Sequence, residues 1–188
     1  MEESNALRVA IDLFQVPSRV RRARQAALPD DIPSLLRIAA GEEEAIAAAA
    51  QETGRSPELV IAAAQFFVRQ ILLAPGADCY RVLGCAKSAT TGELRRNLAL
   101  ILRGLHPDVP GQVENGLFAQ RVTQAWEMLK TVERRRAYDE AQQSVQAQDA
   151  HETRTHFALA SGPTGTATAR PRAKVRGLRR KLRRWLEG

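Results

Sequence analysis

Residues 93–105, ELRRNLALILRGL, place Leu94, Leu98, Ile101 and Leu105 at helical spacing, and His106-Pro107-Asp108 follows directly. Downstream, residues 118–130 carry Val122, Ala125, Trp126 and Leu129 at the same period. The two apolar stripes predict two helices, with His-Pro-Asp in the sequence between them. Pro and Asp favour a turn on their own account. Upstream stands Asp78-Cys79-Tyr80-Arg81-Val82-Leu83-Gly84, and Arg134-Arg135-Arg136-Ala137-Tyr138-Asp139 closes the unit.

In this order and spacing the pieces resemble the J domain of DnaJ-like co-chaperones. The resemblance covers residues 77–141 and implies a four-helix bundle. Its second helix would start near Gly92 and end near Leu105, and its third would run from about Glu114 to Lys130. The expected core is Tyr80, Leu83, Leu94, Leu98, Ile101, Val122, Ala125, Trp126 and Leu129. Burying each such side chain stabilises by roughly 1.5–3 kcal/mol, enough for a bundle of this size without metal or disulfide.

The chemistry that the resemblance implies is recognition. J domains bind a DnaK-type chaperone ATPase and accelerate its ATP hydrolysis. Carried over, His106 and Asp108 make polar contacts to that partner. Pro107, with φ fixed near −65° and no N–H, holds the loop in shape. The family also carries a positive face on helix two, represented here by Arg95, Arg96 and Arg103. Such a face mainly raises the association rate. Ala99 and Leu100 stand where the family usually has a basic pair, and Val109 follows where a basic residue is common. Gly104 falls in the last helical turn, where Gly costs up to ~1 kcal/mol relative to Ala. Arg134-Arg135-Arg136 matches the basic stretch of the family's helix four or is a solvated charge run. The chain shows neither the Gly/Phe-rich segment nor the paired-Cys zinc motifs of full-length DnaJ, so the resemblance is to J proteins of the J-domain-only type.

The remaining sequence predicts an all-α chain. Residues 1–75 read as a helical region of their own. Leu7, Ala10, Ile11 and Phe14 share a face that ends at Pro17, and short helices follow over residues 20–28 and 34–40. Glu42-Glu43-Glu44 suits a helix first turn. Ser56-Pro57-Glu58 is a helix start, with Ser as N-cap and Pro at the first position. Ala50, Gly54 and Val60 have helix-turn-helix spacing. The second helix offers alkyl groups and an acid, whereas base reading requires hydrogen-bonding side chains. A helical hairpin burying Val60, Ile61, Phe67 and Leu72 is the reading favoured over nucleic-acid recognition. Residues 142–170 read as a flexible linker.

Charge is concentrated at the end. Nine of the 28 Lys and Arg lie in residues 170–188 with one of the 21 acids, a net +8 that leaves −1 for residues 1–169. Over residues 171–188, Val175, Leu178, Leu182, Trp185 and Leu186 form one helical stripe. Arg176, Arg179, Arg180, Lys181, Arg183 and Arg184 fill the other face. A basic amphipathic helix ending in Trp suits an anionic membrane surface. Nucleic-acid phosphates and an acidic groove in a partner protein stay open as alternatives.

No arrangement of residues points to catalysis or to a cofactor. His151 and His156 are five apart with no nearby Cys, and there is no Gly-rich phosphate loop or nucleophile elbow. Cys79 and Cys85 have no further Cys to complete a zinc site or a disulfide framework, so two free thiols in a reducing compartment are expected. With no signal-peptide pattern and no membrane-spanning run, a cytoplasmic protein is expected, with the tail able to bring it to a membrane surface. Two readings therefore stand: a co-chaperone of a DnaK-type ATPase, or a degenerate J-like scaffold whose basic tail binds membrane surface or nucleic acid.

Overall fold

A computed structural model describes residues 5–105 and 112–144, and the fold among them is all-α, with no strand. The described residues up to 131 form one compact unit. Its N-terminal layer begins with α1 (Ala6–Gln15), started by Asn5, whose side chain accepts from the Leu7 amide at 2.9 Å. A 3-10 turn (Pro17–Arg19) leads into α2 (Val20–Ala23). Then follow α3 (Ile32–Ala39), α4 (Glu43–Thr53) and α5 (Pro57–Phe67). Ser56 caps α5 by accepting from the Leu59 amide, with Pro57 in the first turn, as the residues require. α5 continues as a π-turn over Val68–Leu72.

The second layer holds α6 (Cys79–Val82), α7 (Thr91–Gly104) and α8 (Gln112–Leu129). Asp78 caps α6 through the Tyr80 and Arg81 amides, and Thr90 with Glu93 forms a capping box on α7. A helix over residues 132–144, α9, belongs to a separate unit, within which Gln142 donates to the Tyr138 hydroxyl at 2.9 Å.

The layers share one core. α1 and α3 pack on α5, α6 and α7 pack on α8, and α3 packs on α7. Leu35 and Leu36 from α3, Phe67 and Leu72 from the end of α5, and Leu83, Leu94 and Ile101 from the second layer are all fully buried. The boundary expected between residues 75 and 77 therefore does not divide the packing. The N-terminal helices supply one wall of the core that covers Leu83 and the side of α7.

Guanidinium groups stitch the layers through helix C-termini, where carbonyls lack intrahelical donors. Arg81 donates to Ala23 O and Ala26 O at 2.9 Å each and to Ile71 O at 3.3 Å. Arg121 of α8 donates to Leu73 O at 3.0 Å and Ala74 O at 2.8 Å. Within the N-terminal layer, Arg24 donates to Gln70 O and to its side-chain oxygen, both at 2.8 Å. Burial lowers the pKa of Arg81 and Arg121, yet arginine titrates so high that both stay charged.

Two expected helices differ. The helix expected over 20–28 closes after Ala23, because the carbonyls of Ala23 and Ala26 turn to the Arg81 fork. The one expected over 34–40 starts at Ile32, with Pro33 in its first turn and Asp31 at φ 60° accepting from the Ser34 hydroxyl. Val60, Phe67 and Leu72 of the expected hairpin are buried and Ile61 only partly so. Among the described residues, no helix is long and apolar enough to cross a membrane.

Candidate functional site

The site is built on the pairing of α7 and α8. Leu94 and Ile101 face Val122, Ala125 and Leu129, and all five are buried, as are Tyr80 and Leu83 behind them. Two residues expected in the core lie at its rim. Leu98 and Trp126 are only partly buried. The Trp126 ring is covered from outside by the Arg95 guanidinium, 5.8 Å from its centroid. An aromatic body with a cation over its face is stable at such a border.

The apolar pairing brings the end of α7, with Leu105 buried, toward the start of α8 at Gln112. His106, Pro107 and Asp108 fall between these two helices and lie outside the described residues. So do the tail residues Arg176, Arg179, Arg180, Lys181, Arg183, Arg184 and Trp185, and the pair His151 and His156.

Arg95, Arg96 and Arg103 are exposed on α7, although not equivalent. Arg95 is held over Trp126. Arg103 donates to Glu42 Oε1 at 3.2 Å, and Glu42 Oε2 accepts from Arg37 Nε at 2.6 Å. The hydrogen bond and charge of Glu42 raise the Arg37 pKa further above its ordinary value. Arg103 is thus shared with the N-terminal layer, whereas the charge of Arg96 acts on Glu93 of its own helix.

The non-basic pair has two different environments. Ala99 is exposed. Leu100 is 8% exposed and lines a small crevice with Ala39, Gln65, Val68 and Arg69. A basic side chain there would point into α3 and the end of α5, which accounts for a leucine.

Sequence reasoning missed Asn97. Its amide is 2% exposed and donates to Leu83 O at 3.0 Å, Gly84 O at 3.2 Å and Cys85 Sγ at 3.2 Å. This fastens the α6–α7 connection to the middle of α7. The available signal was a polar residue three positions after Leu94, on the apolar side of the helix. Gly84 itself has φ +61°, and a Cβ there would meet Ile32 Cγ2 at 2.7 Å. Cys79 and Cys85 are free thiols. Among the described residues, no group of three or more His, Cys, Asp or Glu is placed to hold a metal ion.

With this geometry in place, residues 78–139 match the family model of the DnaJ domain. The match covers a third of the chain and identifies these residues as a DnaJ domain. The curved DNA-binding protein of Coxiella burnetii (strain RSA 493 / Nine Mile phase I) is 37% identical over 62 residues, 33% of this chain and 20% of that protein. Chaperone protein DnaJ of Oceanobacillus iheyensis is 33% identical over 63 residues, 34% of this chain and 17% of that protein. Chaperone protein DnaJ of Leifsonia xyli subsp. xyli is 36% identical over 63 residues, with the same shares. The chain thus spans a fifth or less of the length of these relatives, and the likeness lies in the DnaJ domain. No solved structure matches the chain.

In this DnaJ domain the family helices correspond to α6, α7, α8 and α9 by sequence position. The N-terminal layer lies outside the matched residues. It nevertheless supplies Ile32, Ala39 and Leu72 to the packing around α6 and α7.

Proposed function

We propose that the chain is a co-chaperone whose DnaJ domain binds a DnaK-type chaperone ATPase through His106, Pro107 and Asp108 and raises its rate of ATP hydrolysis. The observation that carries this reading is the family match over residues 78–139 with the His-Pro-Asp sequence intact between α7 and α8. The imidazole can donate and accept, the carboxylate accepts, and the proline limits the loop between them. Arg95, Arg96 and Arg103 add positive charge along the exposed side of α7, where its main effect is on the association rate. ATP cleavage belongs to the partner, and this chain contributes contacts rather than a reacting group. The test is single-turnover ATP hydrolysis by the cognate DnaK-type chaperone, alone, with this protein, and with His106→Gln. Stimulation by the wild type that the variant loses is expected. A folded wild type that never stimulates over a range of concentrations would leave the DnaJ domain as a scaffold.

A second surface is assigned to the tail by its charge. Residues 170–188 carry +8 with Trp185 on the apolar stripe, which suits an anionic membrane surface. The expected result is binding of these residues to anionic vesicles and not to neutral ones. Equal binding to both, or to neither, would remove the assignment.

A further inference from the structure

Between Leu13 and Pro29 the chain has four arginines and no acid. Three of them, Arg19, Arg21 and Arg22, are exposed and make no ion pair with any described residue. The fourth, Arg24, is anchored on Gln70. The segment is fastened a second time by Arg81, which holds the carbonyls of Ala23 and Ala26. A short helix of unneutralised like charge is therefore clamped in place, although its self-repulsion opposes that arrangement.

Apolar side chains stand beside it. Phe14 and Val16 are each 38% exposed. The Phe14 ring meets Phe66 edge-on at 5.6 Å. Phe66 and Gln70 are one helical turn apart on the helix that ends α5, so the anchors of Phe14 and of Arg24 are adjacent. The chain from Phe14 to Arg24 thus starts and ends at neighbouring anchors, and its exposed residues Phe14, Val16, Arg19, Arg21 and Arg22 make up the surface of that short stretch.

We propose that this surface seats on an anionic phospholipid bilayer. The three guanidinium groups meet headgroup phosphates, while Phe14 and Val16 enter the boundary between headgroups and acyl chains. Exposed apolar groups beside the arginines favour a bilayer over a nucleic-acid duplex, whose phosphate surface offers nothing to bury them against. The surface lies outside the matched residues 78–139, and its test is independent of ATPase stimulation. With the tail it would provide the two weak attachments that stable membrane association needs.

The experiment is co-sedimentation of the full chain with vesicles of phosphatidylcholine alone or of phosphatidylcholine mixed with phosphatidylserine. Wild type is compared with Arg19→Gln/Arg21→Gln/Arg22→Gln and with Val16→Ser, the tail being left intact. These side chains are exposed, and unchanged helical circular dichroism and thermal midpoint check the fold. Losing about fivefold per arginine, the triple variant should bind anionic vesicles about a hundredfold more weakly. Val16→Ser should weaken binding by a few fold, and added salt should weaken the wild type. Triple-variant binding within twofold of wild type would overturn the proposal, as would wild-type binding that ignores phosphatidylserine. Tighter binding to duplex DNA than to vesicles, lost in the triple variant and untouched by Val16→Ser, would assign the surface to nucleic acid instead.

Discussion

Gly104 of α7 crosses Ala39 of α3 so closely that a Cβ on Gly104 would stand 2.9 Å from the Ala39 carbonyl oxygen. This crossing explains a feature of α7 that looks unfavourable in isolation. The helix has one apolar side for α8 and a second for the N-terminal layer. Leu100 and Gly104, one turn apart, form that second side. The exposed strip left to α7 carries Arg95, Arg96, Ala99 and Arg103, with Glu42 of the N-terminal layer at its edge.

Gly104→Ala should therefore destabilise the protein, against helix propensity. Propensity favours Ala by up to ~1 kcal/mol. Overpacking against a neighbour typically costs about 1–3 kcal/mol, and here that neighbour is backbone, which cannot rotate away. With the propensity gain subtracted, the net expectation is a loss of up to about 2 kcal/mol in urea unfolding. A variant more stable than wild type would show that α3 and α7 are further apart than this.

Arg121 offers a second test of the joined layers. Arg121→Met keeps most of the apolar stem but removes the donor to the Leu73 carbonyl and one of two donors to the Ala74 carbonyl, which still accepts from the Ala77 amide. Leaving such groups unsatisfied costs about 1–3 kcal/mol. Arg121→Lys should recover only part of this, because an ammonium lacks the planar fork that spans two carbonyls. Equilibrium denaturation should rank wild type above Lys above Met. Equal stability of all three would mean that water replaces the guanidinium at no cost.

The readable parts of the fold are those written in local pattern. α7 and α8 follow from the spacing of Leu94, Leu98 and Ile101 and of Val122, Ala125 and Leu129. The start of α5 follows from Ser56-Pro57. The union of the two layers depends on contacts between residues some sixty positions apart, such as Ala39 with Gly104 and Glu42 with Arg103. Periodicity treats α7 as one-faced, so Leu100 reads as a misplaced apolar residue and Gly104 as a weak point. Read together, the two are the trace of a second face. Asn97 and Arg121 were hidden for another reason. Both spend polar groups on backbone carbonyls, and carbonyl positions leave no mark in the side-chain sequence. Leu98 and Trp126 fit the stripe but sit at its rim, since α7 turns toward α3 as well as α8.

The start of α7 carries a pH-dependent contribution whose sign can be worked out. Glu93 Oε2 accepts from the Thr90 amide at 2.7 Å and from its hydroxyl at 2.8 Å. The backbone hydrogen bond, then the hydroxyl, hold the Glu93 pKa below its ordinary value. A carboxylate whose folded pKa is depressed adds stability that is fully present above its unfolded pKa, about 4.3, and lost as the pH falls through the folded value. In Glu93→Gln an amide keeps the acceptor oxygen but never ionises. Wild type should therefore be the more stable of the two at neutral pH, and the gap should close as the medium is acidified below the ordinary glutamate range. Thr90→Ala should move the Glu93 titration, followed by carboxyl NMR shifts, back up toward that ordinary value. A gap between wild type and Glu93→Gln that stays constant from neutral to acid would show that ionisation of Glu93 contributes nothing to capping α7.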